Sequence, residues 1–199
     1  MKRIISLSVL MSIALLALIL IGCQQEVPNT LPVEEDMEMT QVEIITNKGT
    51  IVVELNAEAA PQTVENFLSY VDEDFYAGTV FHRVIPNFMI QGGGFTQDAT
   101  QKDTKPPIPI ESDNGLKNTK GTIAMARTMD PNSATSQFFI NTADNEFLNY
   151  GFRDEGYTVF GKVVEGMDVV AAIEAVPTAQ APMPDWPTET VVIQTIKRK

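Results

Sequence analysis

The segment from Phe81 to Phe95 contains the side chains best suited to chemistry in this chain of 199 residues. It reads FHRVIPNFMIQGGGF and places Arg83 and Gln91 within an otherwise apolar run. An arginine keeps its proton in proteins, so Arg83 can donate hydrogen bonds but cannot serve as a base. A buried strand requires neither residue. The pair therefore indicates a polar site set beside phenylalanine and methionine.

The same segment contains a histidine and a glycine run. Alternate side chains of a strand over residues 80–85 point to opposite faces, so His82 and Arg83 are not expected to form one catalytic pair. We interpret His82 as a packed strand residue rather than a general base. The glycines Gly92–Gly94 are expected to end the strand and to permit close approach of another chain segment. No Lys-Ser/Thr pair follows them, which argues against a phosphate-binding loop.

Composition excludes several other functions. One histidine and one cysteine, His82 and Cys23, cannot assemble a His/Cys zinc site. The chain has 26 acidic and 14 basic residues, and its net charge of -12 would repel nucleic-acid phosphates. We therefore expect no metal site and no nucleic-acid partner. A chain of this length with 44% hydrophobic residues can enclose one good core, so we predict one domain preceded by a leader.

The elements that would position this site are mostly short strands. Residues 42–55 read as two antiparallel strands joined by an Asn-Lys-Gly turn. Helical spacing of apolar residues predicts one helix that begins near Pro61 and a second in GMDVVAAIEAV. Many strands, two helices and no strand–helix alternation predict an antiparallel barrel or sandwich. The further β-rich runs are GTIAMA, SQFFINT, YTVFGKVV and TVVIQTI.

The first 40 residues differ in composition from the rest. Two basic residues precede nineteen almost wholly apolar ones at positions 4–22, which is typical of an export signal but also long enough for an uncleaved membrane anchor. The ending LIGC resembles the lipobox of bacterial lipoproteins, which implies removal of a signal peptide at 1–22 and acylation of Cys23. The acidic, proline-containing residues 24–40 read as a solvated linker, so the lipidated N-terminus and linker occupy 23–40 and the folded domain 41–199.

Five motifs between residues 41 and 196 resemble the cyclophilin family of peptidyl-prolyl cis-trans isomerases. They are FHRVIPNFMIQGG, GTIAMAR, NSATSQFFI, NEFLN and VFGKVVEGMDVV, in that order. The resemblance implies a mainly β fold, a closed eight-stranded antiparallel barrel capped by two α-helices. It implies catalytic roles for Arg83 and Gln91. It also implies that nine residues bind substrate: Phe88, Met89, Ala126, Arg127, Gln137, Phe139, Phe147, Leu148 and Tyr157.

Four positions depart from common family residues. Phe147 lies where many members have tryptophan and Tyr157 where many have histidine. Both keep an aromatic ring at the pocket wall, so we expect activity to be retained and cyclosporin binding to be weak. Arg127 replaces a common asparagine and Gly94 a common aspartate, so peptide preference cannot be transferred from the family.

Arg83 suits the chemistry of peptide-bond rotation. The barrier is roughly 18–20 kcal/mol because nitrogen shares its lone pair with the carbonyl group. A guanidinium that donates to the prolyl nitrogen would stabilise the twisted state more than either planar state. An apolar pocket would hold the proline ring while the preceding carbonyl turns. The reaction needs no cofactor, because no covalent bond is formed or broken.

Together these features predict an exported, membrane-anchored lipoprotein on the cell-envelope or periplasmic side that isomerises X-Pro bonds in folding proteins. Its partners would be X-Pro-containing proteins and, through the lipid anchor, a membrane. We expect a monomer, since the sequence has no long apolar repeat. Two alternatives stay open, a module that binds proline-containing segments or acts as a chaperone with little turnover, and a small-ligand barrel of the lipocalin kind.

Overall fold

The computed structural model describes residues 40–199. Within this range the chain forms ten strands, two α-helices and one 3₁₀ turn, and every strand pair is antiparallel. In chain order they are β1 (Gln41–Thr46), β2 (Gly49–Leu55), α1 (Pro61–Asp72), β3 (Thr79–Ile85), β4 (Met89–Thr96), β5 (Thr122–Met125), β6 (Phe138–Asn141), the 3₁₀ turn (Glu146–Leu148), β7 (Val159–Glu165), α2 (Met167–Glu174), β8 (Thr178–Ala179), β9 (Trp186–Pro187) and β10 (Ile193–Arg198).

Eight of these strands form a nearly closed barrel. Their order is β10-β1-β2-β7-β5-β6-β4-β3. The edge strand β3 meets the residues just before the other edge strand, β10, at a bridge between Val80 and Val192. Beside it the Phe81 amide donates to the Val191 carbonyl at 2.9 Å. The remaining two strands, β8 and β9, pair with each other. The predicted mainly β fold, an eight-stranded antiparallel barrel with two helices, is confirmed.

The first helix has the apolar stripe that its sequence predicts. Val64, Phe67, Leu68 and Val71 are all buried, and Pro61 occupies the first turn, where its missing amide hydrogen costs nothing. The Glu111 carboxylate accepts hydrogen bonds from two amides of that turn, at 3.1 and 2.8 Å. These bonds satisfy donors that a helix N-terminus leaves unpaired.

The site-bearing strands bury apolar residues on both faces. Residues on the inner face belong to the main barrel core, as Val84, Ile90 and Ile140 do. Their neighbours along each strand point outward because side chains alternate. Outward residues contribute to a second, smaller apolar cluster, whose buried members are Met89, Ala124, Phe139, Leu148 and Val159.

Strand β3 contains a β-bulge at His82. Phe81 lies opposite Gly92 and Arg83 lies opposite the next residue of β4, Gln91, so β3 has one residue more than its partner over this step. The sequence pattern did not predict this bulge. Such an insertion leaves the extra residue, His82, unpaired and rotates the strand after it.

The bulge determines where Arg83 points. In a regular strand Phe81 and Arg83 would share a face, and the guanidinium would enter the core. Phe81 and Val84 instead both point into the core although they are three positions apart. Arg83 is directed outward, and 41% of its side chain is exposed.

The glycine run does not end β4, as its sequence suggested, because the strand continues to Thr96. Gly93 has φ +83°, and a Cβ there would lie 2.9 Å from ring atoms of both Tyr76 and Phe138. Gly92 and Gly93 thus let the core aromatics reach the β4 backbone, at a second shift in the β3–β4 register.

The sequence-based predictions for the leader lie outside the described residues. They concern the signal peptide at 1–22, Cys23 and the linker that follows. Neither α-helix of residues 40–199 has the length and apolarity that a membrane crossing requires.

Candidate active site

A row of five residues crosses the outer face of the barrel. Arg83 on β3 lies opposite Gln91 on β4, Gln91 opposite Phe139 on β6, Phe139 opposite Ala124 on β5, and Ala124 opposite Val159 on β7. Directly opposed residues of antiparallel strands share a face. The row therefore runs from a guanidinium through an amide to an apolar surface, the combination inferred from the sequence.

The apolar part of the site is the second cluster. Met89, Phe139 and Leu148 are buried in it, and Phe88, Ala126 and Tyr157 are partly buried against it. At its rim the rings of Phe88 and Phe147 stack with centroids 5.5 Å apart, and Phe147 is 36% exposed. The structure thus brings all of the predicted apolar pocket residues to one face of the barrel.

Arg83 is oriented by an acidic residue from a distant loop. Its Nε lies 3.5 Å from Oδ2 of Asp185, and the Val84 amide donates to the Asp185 carbonyl at 2.9 Å. This ion pair is weak because both side chains are partly exposed. It can orient the guanidinium and still leave it free to bind a substrate. The sequence gives no signal for Asp185, because this residue lies near the end of the folded domain, far along the chain from Arg83.

Gln91 is held by a second predicted residue. Its Nε2 donates to Oε1 of Gln137 at 3.0 Å. The Gln137 side chain lies against Gly94, where an added Cβ would be 2.5 Å from its Cγ. The glycine that stands in place of a common aspartate therefore provides the space that Gln137 occupies.

Three buried asparagines position the pocket loops, and the sequence reasoning missed them. Asn145 Nδ2 donates to the Phe88 carbonyl at 2.8 Å and to Asn141 Oδ1 at 2.7 Å. Asn118 Nδ2 donates to the Leu148 carbonyl at 3.1 Å, and its Oδ1 accepts from Asn141 at 3.2 Å. Asn141 and Asn145 lie beside the apolar runs FFI and EFL, whereas Asn118 lies in the polar segment GLKNTK and has no such signal.

His82 is a packed strand residue, as interpreted from the sequence. It is 5% exposed, and its ring centroid lies 4.7 Å from that of Phe95. Burial, reinforced by the charge of Arg83, lowers the pKa of His82 to about 4 although a hydrogen bond with Val80 opposes the shift. The imidazole is therefore neutral near pH 7.

Arg127 is enclosed by the protein itself. Its side chain is only 6% exposed and forms an ion pair with Asp154 at 3.0 Å. Its Cζ lies 4.5 Å from the ring centroid of Tyr157, which in turn packs edge-on against Phe139 at 5.7 Å. The guanidinium thus lies behind the pocket wall.

Fold and site together define a barrel with an arginine and a glutamine beside an apolar pocket. The family described as "Cyclophilin type peptidyl-prolyl cis-trans isomerase/CLD" matches residues 41–198. The chain belongs to this family, and the family, the fold and the isomerase activity predicted from its motifs are confirmed.

Similar proteins include curated bacterial isomerases and a solved structure. The chain is 54% identical over 159 residues to peptidyl-prolyl cis-trans isomerase A of Dickeya dadantii, covering 79% of this chain and 84% of that protein. It is 56% identical over 163 residues to an isomerase of Streptomyces antibioticus, covering 80% and 98%. A cyclophilin-type isomerase of Cryptosporidium parvum, crystallised in the presence of the dipeptide Ala-Pro, has TM-score 0.70 and 30% identity, covering 80% of this chain and 98% of that one.

Proposed function

We propose that this isomerase acts on X-Pro bonds of folding proteins outside the cytoplasm, with Arg83 and Gln91 as its catalytic side chains. The observation that carries the catalytic part is the cross-strand row, which places Arg83, Gln91 and Phe139 side by side on one exposed face. The presence of Ala-Pro with the Cryptosporidium parvum relative supports a proline-containing ligand for this site.

The apolar pocket holds the proline ring. Met89, Phe139 and Leu148 form its buried wall, and Phe88 and Phe147 close its rim. A ring fixed here leaves the preceding carbonyl group as the part that turns. Water stabilises the planar amide more than the twisted one. The pocket excludes water and so lowers the barrier to rotation.

Arg83 lowers the barrier from the polar end of the row. As the bond twists, the prolyl nitrogen regains its lone pair and becomes a hydrogen-bond acceptor for the guanidinium. A rate gain of about 10⁵ requires roughly 7 kcal/mol of differential stabilisation. One charge-assisted hydrogen bond, substrate positioning and the exclusion of water together supply energies of this size.

Gln91 fixes the substrate backbone rather than the proline ring. Its bond to Gln137 holds the amide in place between Arg83 and Phe139. Ala126 follows β5 and borders the same groove. Its amide donates to the Gln137 carbonyl at 3.0 Å, so it lies beside the residue that holds Gln91. The half-exposed Phe147 offers less ring area than tryptophan would, which supports weak cyclosporin binding.

The catalytic proposal is tested by the isomerisation rate of a short X-Pro peptide. Arg83→Ala is expected to lower kcat/KM by about 10²–10³, the loss typical of one preorganised donor. Arg198→Ala is the matched control, since it removes a similarly exposed arginine that pairs with Asp72. If the Arg83 variant kept the parent rate, Arg83 would not be a catalytic residue. If the parent bound the peptide without turning it over, a binding module or chaperone would be the better description.

The location is a separate proposal that rests on the leader sequence. The two basic residues, the apolar run and LIGC support export and acylation of Cys23, with the acidic segment 24–40 as a spacer. The lipid would place the domain at the cell envelope. No resident cofactor is part of this proposal.

Membrane attachment is tested in cells given labelled palmitate. The parent is expected to take up the label and to sediment with membranes, whereas Cys23→Ser should lose the label. The mass of the parent separates the two readings, because an uncleaved membrane anchor would keep residues 1–22. Label retained in that variant, or a parent found only in the cytoplasm, would contradict the proposal.

A further inference from the structure

The guanidinium of Arg127 is bonded on several sides by the chain's own groups. Its Nε donates to the Gly156 carbonyl at 2.8 Å, its Nη1 to the Thr128 carbonyl at 2.9 Å, and its Nη2 to Asp154 Oδ1 at 3.0 Å. Arginine offers five donors in a planar fork, and three of them are used here. With 6% of the side chain exposed, little of it remains to meet a peptide.

These bonds organise the loop that follows the 3₁₀ turn, residues 149–156. The Tyr157 amide donates to the Leu148 carbonyl at 2.9 Å and closes the loop at its base. Within the loop the Gly156 amide donates to Asp154 Oδ1 at 2.7 Å, the same oxygen that binds Arg127. Arg127 is therefore enclosed by the loop, and the half-exposed Asp154 links it to the Gly156 backbone.

Tyr157 connects this loop to the proline pocket. Arg127 lies over its ring at 4.5 Å, and the Phe139 ring meets it at 79° with a centroid distance of 5.7 Å. Tyr157 also packs against the second apolar cluster. A cation held over an aromatic ring away from water is attracted to it, so Arg127 restricts the position of Tyr157.

Arg127 and Tyr157 are also two of the four positions that differ from common family residues, and they touch. An asparagine at position 127 would be too short to span the Gly156 carbonyl, Asp154 and the Tyr157 ring together. The two departures therefore form one structural unit.

We propose that Arg127 is a positioning residue, which acts through Tyr157 to hold the pocket wall at Phe139 and does not read the charge of the substrate. This inference rests on the proposed catalytic site. Its test compares the parent with Arg127→Lys, Tyr157→Ala and the double variant. Lysine keeps the positive charge but lacks the fork and its stacking plane, so it separates positioning from charge recognition.

Each protein is assayed with three peptides that carry glutamate, alanine or lysine beside the X-Pro bond. Arg127→Lys is expected to lower kcat/KM by about tenfold, equally for all three peptides and mainly through KM. In the Tyr157→Ala background the same change should have almost no further effect, because the residue through which Arg127 acts is gone. Losses that depend on peptide charge, or that multiply in the double variant, would overturn the proposal.

A measurement that does not depend on catalysis separates the positioning role of Arg127 from the proposed catalytic role of Arg83. The ring-flip rate of Tyr157, followed by NMR in the absence of peptide and at a temperature where both proteins are folded, should increase in Arg127→Lys. An unchanged flip rate overturns the positioning role. Arg83→Ala is included as the catalytic control, and if the parent itself fails to isomerise the peptides while the flip rate responds, the proposed catalytic role has failed and the positioning role has not.

Discussion

His82 and Arg83 are adjacent in the sequence, yet the bulge leaves His82 buried in the fold and directs Arg83 to the candidate active site. His82 is buried with a pKa of about 4, well below the usual value of 6.5. Between these two pH values His82 is therefore protonated in the unfolded chain and neutral in the folded chain. Stability from neutral His82 is fully present above pH 6.5 and is lost as pH falls toward 4.

This linkage predicts a pH-dependent effect of His82→Gln. The free energy of unfolding of the parent should fall by about 3 kcal/mol between pH 7 and pH 4 from this residue. The variant should show a correspondingly shallower slope in urea titrations at several pH values. The pKa values of Asp72 and Asp98 are lowered from 3.8 by hydrogen bonds with Arg198 and Thr96, so their titration falls below this window. Parallel slopes for parent and variant would show that His82 is not buried in its neutral form.

For single residues, the sequence predicts which side chains belong to the site better than it predicts which groups they bind. The motif identifies Arg83 and Gln91, and the bulge at His82 turns Arg83 to the face that Gln91 occupies. Asp185 and the buried asparagines could not be predicted, because most of their partners come from segments far apart in the chain, the bond between Asn141 and Asn145 being local. Only the folded topology creates those hydrogen bonds.

Among the elements, β3 and β4 carry the irregularities on which the site depends. Gly93 combines a positive φ with contact to two core rings, whereas Gly151 has φ +78° and nothing within 4 Å of an added Cβ. Gly93→Ala is expected to destabilise the protein by about 2–5 kcal/mol, from backbone strain together with overpacking. Gly151→Ala should cost about 1–2 kcal/mol, from backbone strain alone.

Urea unfolding of both variants measures this difference. Equal losses for the two alanines would mean that the core rings move aside at no cost. That result would contradict the prediction.

The regular elements were predictable and the bulges were not. Hairpin β1–β2 and helix α1 follow from turn residues and apolar spacing, which act locally. The glycine run was expected to end β4, yet the strand continues because Tyr76 and Phe138 fill the space that the glycines leave. A bulge depends on the register with a neighbouring strand, which a single strand's sequence does not contain.

For the molecule as a whole, closure of the barrel links the site to both ends of the folded domain. Strand β10 pairs with β1 and also meets β3, the strand that carries Arg83. Asn47, in the β1–β2 turn, binds the chain just before β10 with hydrogen bonds of 2.9 and 3.0 Å. The mainly β, antiparallel class was readable from the sequence, whereas the count of eight barrel strands and the closure of the barrel were implied only by the family resemblance.

The measurement that tests the central claim most directly is the cis–trans exchange rate of an X-Pro peptide bound to the protein. NMR exchange experiments at equilibrium give this rate together with the affinity, for the parent and for Arg83→Ala. The proposed mechanism predicts a fall in the bound exchange rate of about 10²–10³ while the affinity changes little, because the guanidinium acts mainly on the twisted state. An unchanged exchange rate with weakened binding would contradict it and would make Arg83 a recognition residue.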